Sequence, residues 1–347
     1  MYSRYSIVLI ESFLNQVIIL IILYINISKN VCVPGVLNYV SSLPVVFNFN
    51  SNQQVSRHST GMLPSSRVLP INVLLRSRSI SNVHIDNFKL LIGMDCVLTE
   101  DIGRYQKDWL EVYSGGSVVC IPKSTGDVSA LLKYCDQNSI GIVPQGGNTG
   151  LVGGSVARCD DEVILSLEKM NSIIEIDEDS SVLVCESGCV LQELESAVSD
   201  RGYTVPLDLG AKGSCMIGGN ISTNAGGLRV LRYGSLHHNV LGLEVVLPNG
   251  DVLDLLSKLR KDNTGYHLKH MFIGAEGTLG VITKAAIQLA AKPVSVNVLL
   301  FRVSNFQDVK ALLRAARKSL SEILSAFEFM DERSVMAVAE TSPMVFR

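Results

Sequence analysis

Apolar residues follow two rhythms along this chain, adjacent or alternate positions in some stretches and helical spacing in others. Val118-Val119-Cys120-Ile121 is an unbroken apolar run that predicts a short buried strand. Past Pro122-Lys123-Ser124-Thr125 the spacing changes: Val128, Leu131, Leu132 and Cys135 fall at i, i+3, i+4 and i+7. This predicts a helix with Ser124 or Thr125 as N-cap, Asp127 favourable in its first turn, and Asn138 and Gly141 at its end. Ile142-Val143-Pro144 predicts the next strand. Residues 163–167, 173–176 and 182–185 also read as strands, and Leu191, Leu194, Ala197 and Val198 as one face of a helix ending at Arg201-Gly202. Residues 240–247 and 252–256 flank Pro248-Asn249-Gly250-Asp251, the pattern of a hairpin. Residues 266–271 predict a short helix, 281–289 and 296–301 strands, and 327–330 the start of another strand. Phe306, Val309, Leu312, Leu313 and Ala316 predict an amphipathic helix capped by Asn305.

Two glycine-rich stretches interrupt this pattern. Residues 144–155 read Pro-Gln-Gly-Gly-Asn-Thr-Gly-Leu-Val-Gly-Gly-Ser, and residues 213–227 read Gly-Ser-Cys-Met-Ile-Gly-Gly-Asn-Ile-Ser-Thr-Asn-Ala-Gly-Gly. Neither contains Asp, Glu, Lys or Arg. Small residues leave main-chain N–H groups accessible, which is how a protein wraps an anion without spending side-chain cations on it. Two such loops suggest a long ligand, such as a dinucleotide. The first loop follows a strand but reads G-G-x-x-G-x-x-G-G, which is not the Rossmann fingerprint G-x-G-x-x-G. No Lys follows its last glycine, so it is not a P-loop. A third glycine-rich turn is Gly274-Ala275-Glu276-Gly277-Thr278-Leu279-Gly280. The remaining arrangement threads the ligand between two subdomains, with loops from both touching it.

Hydrophobic residues make up 47% of the 347 and charged residues 18%, the balance of a folded α/β or α+β protein. A net charge of −3 gives no basic field for nucleic acid. None of the eight Cys forms a C-x-x-C pair, the nearest spacing being Cys185 to Cys189, so they read as buried free thiols in a reducing compartment. His267 and His270 have i,i+3 spacing without a third ligand nearby in sequence and read as a surface pair rather than a metal site.

The N-terminus differs in composition. No acidic residue occurs between Ser12 and Ile85, whereas Lys29, Arg57, Arg67, Arg76 and Arg78 do, among many Ser and Asn. Such leaders resemble organellar transit peptides, and residues 57–79 fit best. Within it, residues 17–25 are an unbroken apolar run, well short of the roughly 20 residues a spanning helix needs. The run reads as a signal core, a weak anchor, or a processed or non-mature segment. Residues 1–80 are therefore set apart as a leader that is not folded, and no stable membrane span is expected.

Several strings together are similar to one family. Asn148-Thr149-Gly150-Leu151-Val152-Gly153-Gly154-Ser155, Pro206-Leu207-Asp208-Leu209-Gly210, the second glycine-rich stretch and residues 274–282 resemble the flavin-binding module of the vanillyl-alcohol-oxidase, or PCMH, type. Residues 206–215, 228–237, 259–266 and 322–331 resemble its flavin-linked D-2-hydroxy-acid dehydrogenases. The resemblance covers roughly residues 85 to 335. It implies an α+β fold: a lead-in at 81–112, a PCMH-type FAD-binding domain of two α/β subdomains at 113–292, and the beginning of an α+β substrate domain at 293–347. It implies that Pro144, Gly146, Gly147, Asn148, Thr149, Gly150, Gly153, Gly154 and Ser155 cradle the FAD pyrophosphate. Pro206, Gly213, Ser214, Gly218, Gly219, Asn220, Thr223, Asn224 and Gly227 would line the rest of the flavin. Glu276, Gly280, Val281 and Ile282 would meet the adenosine or ribityl portion. Some relatives bind FAD covalently through a His in the first loop; none stands there, so non-covalent FAD is implied.

The implied reaction is oxidation of a small D-2-hydroxy acid, D-2-hydroxyglutarate, to its 2-oxo acid, with D-lactate as the alternative substrate. Electrons would pass to electron-transfer flavoprotein, in the mitochondrial matrix, with a homodimer among the implied assemblies. A divalent metal, generally zinc, belongs to a complete chain of this family. The chain ends at Arg347, and the family's metal ligands, catalytic His and carboxylate-gripping cations are expected C-terminal to it, so no catalytic or metal-binding residue is assigned here. Arg229 and Arg232 flank the second loop as the remaining cations, with structural roles at least as well supported. A catalytically silent FAD-binding fragment or subunit is the reading of another class.

Overall fold

The computed structural model describes residues 19–27 and 79–341, all within one contact unit of the chain. Its first strand, β1 (Ile19–Ile27), pairs with the last strands of the chain rather than with its sequence neighbours. After it come α1 (Asn82–Ile92), a 3₁₀ turn at Met94–Cys96, β2 (Val97–Leu98), α2 (Gly103–Gln106), β3 (Val118–Cys120), α3 (Thr125–Asn138), β4 (Gly141–Gln145) and β5 (Glu162–Ser166). These form a first lobe around a four-stranded sheet of order β2-β3-β5-β4, in which β5 runs parallel to β3 and β4. The expected cap is present: the Ser124 hydroxyl accepts from the Asp127 N–H at 3.1 Å. At the other end Ser139, not a glycine, takes the left-handed conformation (φ 58°), and its N–H bonds back to Asp136. Parallel strands are covered on both faces, which is why they read as continuous apolar runs. Val163 and Leu165 of β5 pack with Phe88 of α1 and Leu131 of α3, whereas Ile164 packs with Tyr105, Val119 and Ile121.

The second lobe holds β6 (Ile173–Asp177), β7 (Val182–Glu186), α4 (Leu191–Ser199), β8 (Tyr203–Thr204), α5 (Ile217–Ser222), α6 (Val230–Tyr233), α7 (Leu236–Asn239), β9 (Val240–Val246), β10 (Val252–Leu255), β11 (Val281–Gln288) and β12 (Ala290–Ala291). Five of its strands make an antiparallel sheet of order β10-β9-β11-β7-β6, with the predicted hairpin joining β9 to β10. Leu191, Leu194 and Val198 of α4 and Ile217 and Ile221 of α5 are buried with Leu183, Leu243, Val245 and Ile287 of the sheet. Val246 and Val281 reach into the core of the first lobe. In place of the helix expected at residues 266–271 there is a four-residue 3₁₀ turn, Leu268–Met271.

Glu244 fastens the two lobes. Its carboxylate accepts from Thr125 at the start of α3 (2.5 Å), from Thr283 (2.8 Å) and from Lys284 (3.0 Å). Burial pushes its pKa up, but those three hydrogen bonds outweigh burial and hold the carboxyl below the ordinary glutamate value.

A last unit follows: β13 (Ser295–Val303), α8 (Phe306–Leu320), β14 (Leu324–Met330) and α9 (Glu332–Thr341). Asn305 caps α8 as predicted, accepting from the Gln307 and Asp308 N–H groups. β14 begins three residues before the expected start at residue 327. β1 lies between β13 and β14 and is antiparallel to both. The expectation that all of residues 1–80 stay outside the fold is thus corrected for Ile19–Ile27. Five Ile in nine residues favour extended backbone over helix, and a strand paired on both edges tolerates an uncharged run. The basic stretch at 57–78 lies outside the described residues. Among the described residues no helix is long and apolar enough to cross a membrane.

Candidate functional site

β4 delivers Pro144 and Gln145 to the end of the first sheet, where the chain enters the first glycine loop. Gln145 is buried, and its Nε2 donates to the carbonyl oxygens of Tyr105 (2.9 Å) and Ser155 (2.8 Å). One side chain therefore fixes the far end of the loop to its beginning. Asn148, at φ 52°, donates from Nδ2 to the Lys107 carbonyl (2.6 Å) and accepts at Oδ1 from the Ser155 hydroxyl (2.8 Å). These bonds hold the loop without using its main-chain donors. Among the described residues, no protein acceptor takes the N–H of any residue from Gly147 to Ser155. A run of free amides in a loop without cations is a surface that receives an anion.

The second stretch is not an open loop. The Lys212, Ser214 and Cys215 N–H groups bond back to the carbonyls of Leu209 and Ala211, and residues 217–222 form α5. Gly218, Gly219 and Asn220 therefore sit on a helix. Close packing explains one of these glycines: a β-carbon on Gly218 would lie 2.5 Å from that of Ser187, just past β7. Here acceptors rather than donors are spare. Asn220 Oδ1 and Asn224 Oδ1 are buried without a hydrogen-bond partner among the described residues, an uncommon state for buried polar atoms that often marks a missing partner.

The two stretches meet through main chain. A β-carbon on Gly147 would lie 1.9 Å from the Ser214 carbonyl oxygen, so only glycine allows the approach. Beside this contact opens a cleft of about 500 Å³, within the range of cofactor sites. Of the sequence-predicted residues, Pro144, Gly146, Gly147, Asn148, Thr149, Gly150, Gly154 and Ser155 line it from the first lobe. Gly218, Gly219, Asn220, Thr223, Glu276, Gly280, Val281 and Ile282 line it from the second. Glu276 is the single charged residue of this lining; its main-chain N–H bonds to Ser222 O (2.9 Å), and its carboxylate stands over Gly154.

Six predicted residues lie off the wall. Gly153 packs under the Tyr113 ring, and Gly227 (φ 67°) leaves no room for a β-carbon beside the Asp208 carbonyl. Ser214 supplies the carbonyl that Gly147 abuts, Gly213 packs beside Gln192, Pro206 is buried, and Asn224 is partly buried behind the cleft. Conversely, Gln145, Leu167, Leu209, Gly210, Ala211, Cys215 and Met216 line the cleft without having been predicted. Gln145 had a signal, a polar residue ending an apolar strand. The others are apolar or small and look like core residues in the sequence.

The two candidate cations serve the structure. Arg229 pairs with Asp208 (3.2 Å) and donates to Thr204 (2.7 Å), while Arg232 donates to the Glu322 carbonyl at the base of β14. His270 stacks on His237 and meets His267 edge-on, and burial holds the His270 pKa down. Among the described residues no cluster of three or more ligands is arranged for a metal. The described cysteines are free, and all but Cys159 are buried; burial pushes the Cys135 thiol up to about 12.

Free amides suit a diphosphate, and the orphaned Asn220 Oδ1 suits a ring N–H. No protein atom lies near the position a β-carbon would take on Gly150 or Gly219, which leaves space for a ligand. The residues present therefore fit a dinucleotide such as FAD. Comparison with known proteins agrees. Residues 116–256 match the family model described as FAD binding domain, and residues 292–347 match that of the FAD linked oxidases, C-terminal domain. The chain thus carries an FAD-binding domain followed by part of an FAD-linked oxidase C-terminal domain. Among curated proteins it is similar to D-2-hydroxyglutarate dehydrogenases. It is 52% identical to the mitochondrial D-2-hydroxyglutarate dehydrogenase of Arabidopsis thaliana over 261 residues, 74% of this chain and 46% of that protein. It is 56% identical to that of Danio rerio over 225 residues, 65% and 42% of the two chains. It is 47% identical to the D-2-hydroxyglutarate–pyruvate transhydrogenase of Saccharomyces cerevisiae over 258 residues, 73% and 52%. The chain thus spans about half the length of the relatives it matches. Among solved structures, alkyldihydroxyacetonephosphate synthase shares the fold, with a TM-score of 0.55 at 21% identity over 62% of this chain and 42% of that one.

Proposed function

We propose that this chain is the FAD-holding part of a flavin-linked D-2-hydroxy-acid dehydrogenase, with D-2-hydroxyglutarate as substrate and 2-oxoglutarate as product. The observation that carries the reading is the run of unpaired amides from Gly147 to Ser155 in a cleft whose lining holds no Lys or Arg. In this reading those amides hold the diphosphate, with Gln145, Asn148 and Ser155 keeping the loop in shape. Asn220 Oδ1 accepts from the flavin ring. Glu276 faces ribose or ribityl hydroxyls, since a carboxylate accepts from hydroxyls and repels phosphate. Binding is non-covalent. FAD, when bound, supplies the acceptor for the hydride leaving C2 of the hydroxy acid. The hydroxyl proton goes to a base, and the two substrate carboxylates need cations. The lining of this cleft holds no cation, and its one carboxylate, Glu276, is given to the cofactor in this reading, so those groups are assigned to a substrate domain beginning near residue 293.

The names of the relatives support a mitochondrial location, and we place the protein in the matrix, with electron-transfer flavoprotein as acceptor and a catalytic divalent metal in the substrate domain. The yeast relative is named for pyruvate as acceptor, which makes a 2-oxo acid the alternative. The lack of a cation in the lining favours, as a second reading, an FAD-binding chain without turnover of its own.

The test is reconstitution of the purified chain with FAD, followed by gel filtration and a visible spectrum, then anaerobic addition of D-2-hydroxyglutarate, its L enantiomer and D-lactate. Retained flavin bleached by the D-dicarboxylate supports the full proposal. Retained flavin that no hydroxy acid bleaches supports the second reading. A folded, colourless protein that does not take up FAD overturns both.

A further inference from the structure

Between α2 and β3 the chain makes a hairpin-shaped projection at residues 107–115 that does not line the cleft. Its stem is fixed from several sides. Lys107 and Ser114 form an antiparallel bridge, and the Gly115 N–H donates to the Gln106 carbonyl at 3.1 Å. A β-carbon on Gly115 would lie 2.4 Å from the Ala157 carbonyl oxygen, so the stem rests on the main chain of the first lobe. Asp108, a buried residue, closes the turn. Its Oδ1 accepts from the Tyr113 N–H at 2.7 Å, and its N–H donates to the Tyr113 carbonyl at 3.2 Å. Asp108 thus takes both main-chain groups of Tyr113 and fixes the backbone from which that ring projects.

The projection touches the first glycine loop at two places. The Lys107 carbonyl accepts from Asn148 Nδ2 at 2.6 Å. The Tyr113 ring covers Gly153, where a β-carbon would lie 2.5 Å from the ring. One hairpin therefore holds both ends of the stretch 148–153, whose N–H groups have no protein acceptor among the described residues. A glycine at φ 74° has few restraints of its own, so a contact from outside must supply them. Tyr113 itself is half exposed, and its hydroxyl makes no hydrogen bond among the described residues. The ring contributes little to a core; the contact it makes is with Gly153.

We propose that Tyr113 is a positioning residue for the cofactor: its ring, seated on Gly153 and anchored through Asp108, holds the glycine loop in the shape that presents its free amides. This extends the FAD reading of the cleft and rests on it. A loop already in its binding shape is spared the ordering cost of binding. A loop that visits that shape only part of the time binds more weakly in proportion.

Trp109, the only tryptophan in the chain, stands exposed on the same projection. It is a native probe, because indole emission overlaps flavin absorption. Stopped-flow mixing of apoprotein with FAD, followed at Trp109, gives association and dissociation rates for wild type, Tyr113→Ala and Tyr113→Phe. Tyr113→Ala is expected to associate about tenfold more slowly, with dissociation within about twofold of wild type, as a smaller binding-competent fraction requires. Tyr113→Phe keeps the ring and is expected to match wild type. The melting midpoint of the Tyr113→Ala apoprotein should move by no more than about 2 °C, the scale of a surface change. A second readout needs no flavin. Proteinase K should cut the Tyr113→Ala apoprotein between residues 148 and 153 several-fold faster than wild type, with the cuts located by mass spectrometry. Equal association rates in all three proteins, a Phe variant as slow as the Ala variant, or an Ala variant that does not fold overturns the proposal. A wild-type apoprotein that takes up no FAD overturns the flavin reading instead, and the proteolysis then decides whether the ring holds the loop.

Discussion

Gly147 and Gly219 differ in what lies beside the side chain each lacks, and that difference separates folding from binding. A methyl group on Gly147 meets the Ser214 carbonyl. Gly147→Ala is therefore expected to destabilise the apoprotein by about 1–3 kcal/mol, the usual cost of overpacking, seen as a lower midpoint of thermal unfolding. A methyl on Gly219 meets no protein atom within 4 Å. Gly219→Ala should leave the apoprotein within about 0.5 kcal/mol of wild type, as surface changes do, and weaken FAD at least tenfold in a fluorescence titration. If Gly219→Ala binds FAD normally, the ligand does not lie against α5. The sequence made the glycines visible but not their neighbours. Gly153 and Gly227 looked identical to Gly150 and Gly219, yet the space beside the first two belongs to Tyr113 and Asp208. That distinction exists only once distant chain segments are packed. Gln145 was overlooked for the opposite reason: its value lies in reaching Tyr105 and Ser155 across the fold.

At the scale of elements, periodicity located most of the strands and the helices α3, α4 and α8, because each has an apolar face of regular spacing, but α1 and α9 were not predicted. It did not find α5, whose Gly-Gly-Asn sequence argues against helix and which forms because Ile217 and Ile221 are drawn into the core of the second lobe. Nor could it place β1, since an apolar run of nine residues fits a leader as well as a central strand until its partners are known. The clamp between α3 and β9 leads to a pH prediction. The Glu244 pKa is lowered in the folded state, so its contribution is present above the unfolded glutamate value, near 4.3, and is lost as pH falls through the lower folded value. Glu244→Gln should cost about 2 kcal/mol at neutral pH, the scale of hydrogen bonds to a buried charge. The gap from wild type should close below about pH 4. Thermal melts of both proteins from pH 7 to pH 3 check this; a gap independent of pH would mean that the carboxylate charge does not matter there.

For the molecule as a whole, the cleft draws its walls from both lobes, so a ligand seated in it binds only the folded state. FAD at 100 times its dissociation constant should then stabilise the protein by about 2.7 kcal/mol. The unfolding midpoint should rise steadily with FAD concentration and stay flat with AMP at matched concentration. A flat FAD series would place flavin binding elsewhere or nowhere. The α+β class and the two-lobed arrangement were legible through the family resemblance that the three glycine-rich segments carry, composition alone leaving α/β and α+β open. The closing of the last sheet was not, because it joins residues near the two ends of the chain.

That closure has a consequence for synthesis. Ile27 pairs with Ser295 and Leu20 with Met330, so this segment can dock only after about 300 further residues have been made. While a ribosome builds everything between, a sticky uncharged ribbon waits without its docking place. Contacts so remote in sequence form slowly and leave the nascent chain open to association with others. Escort by a chaperone during translation is the expected remedy, and brief heat shock should harm newly made molecules more than those already folded.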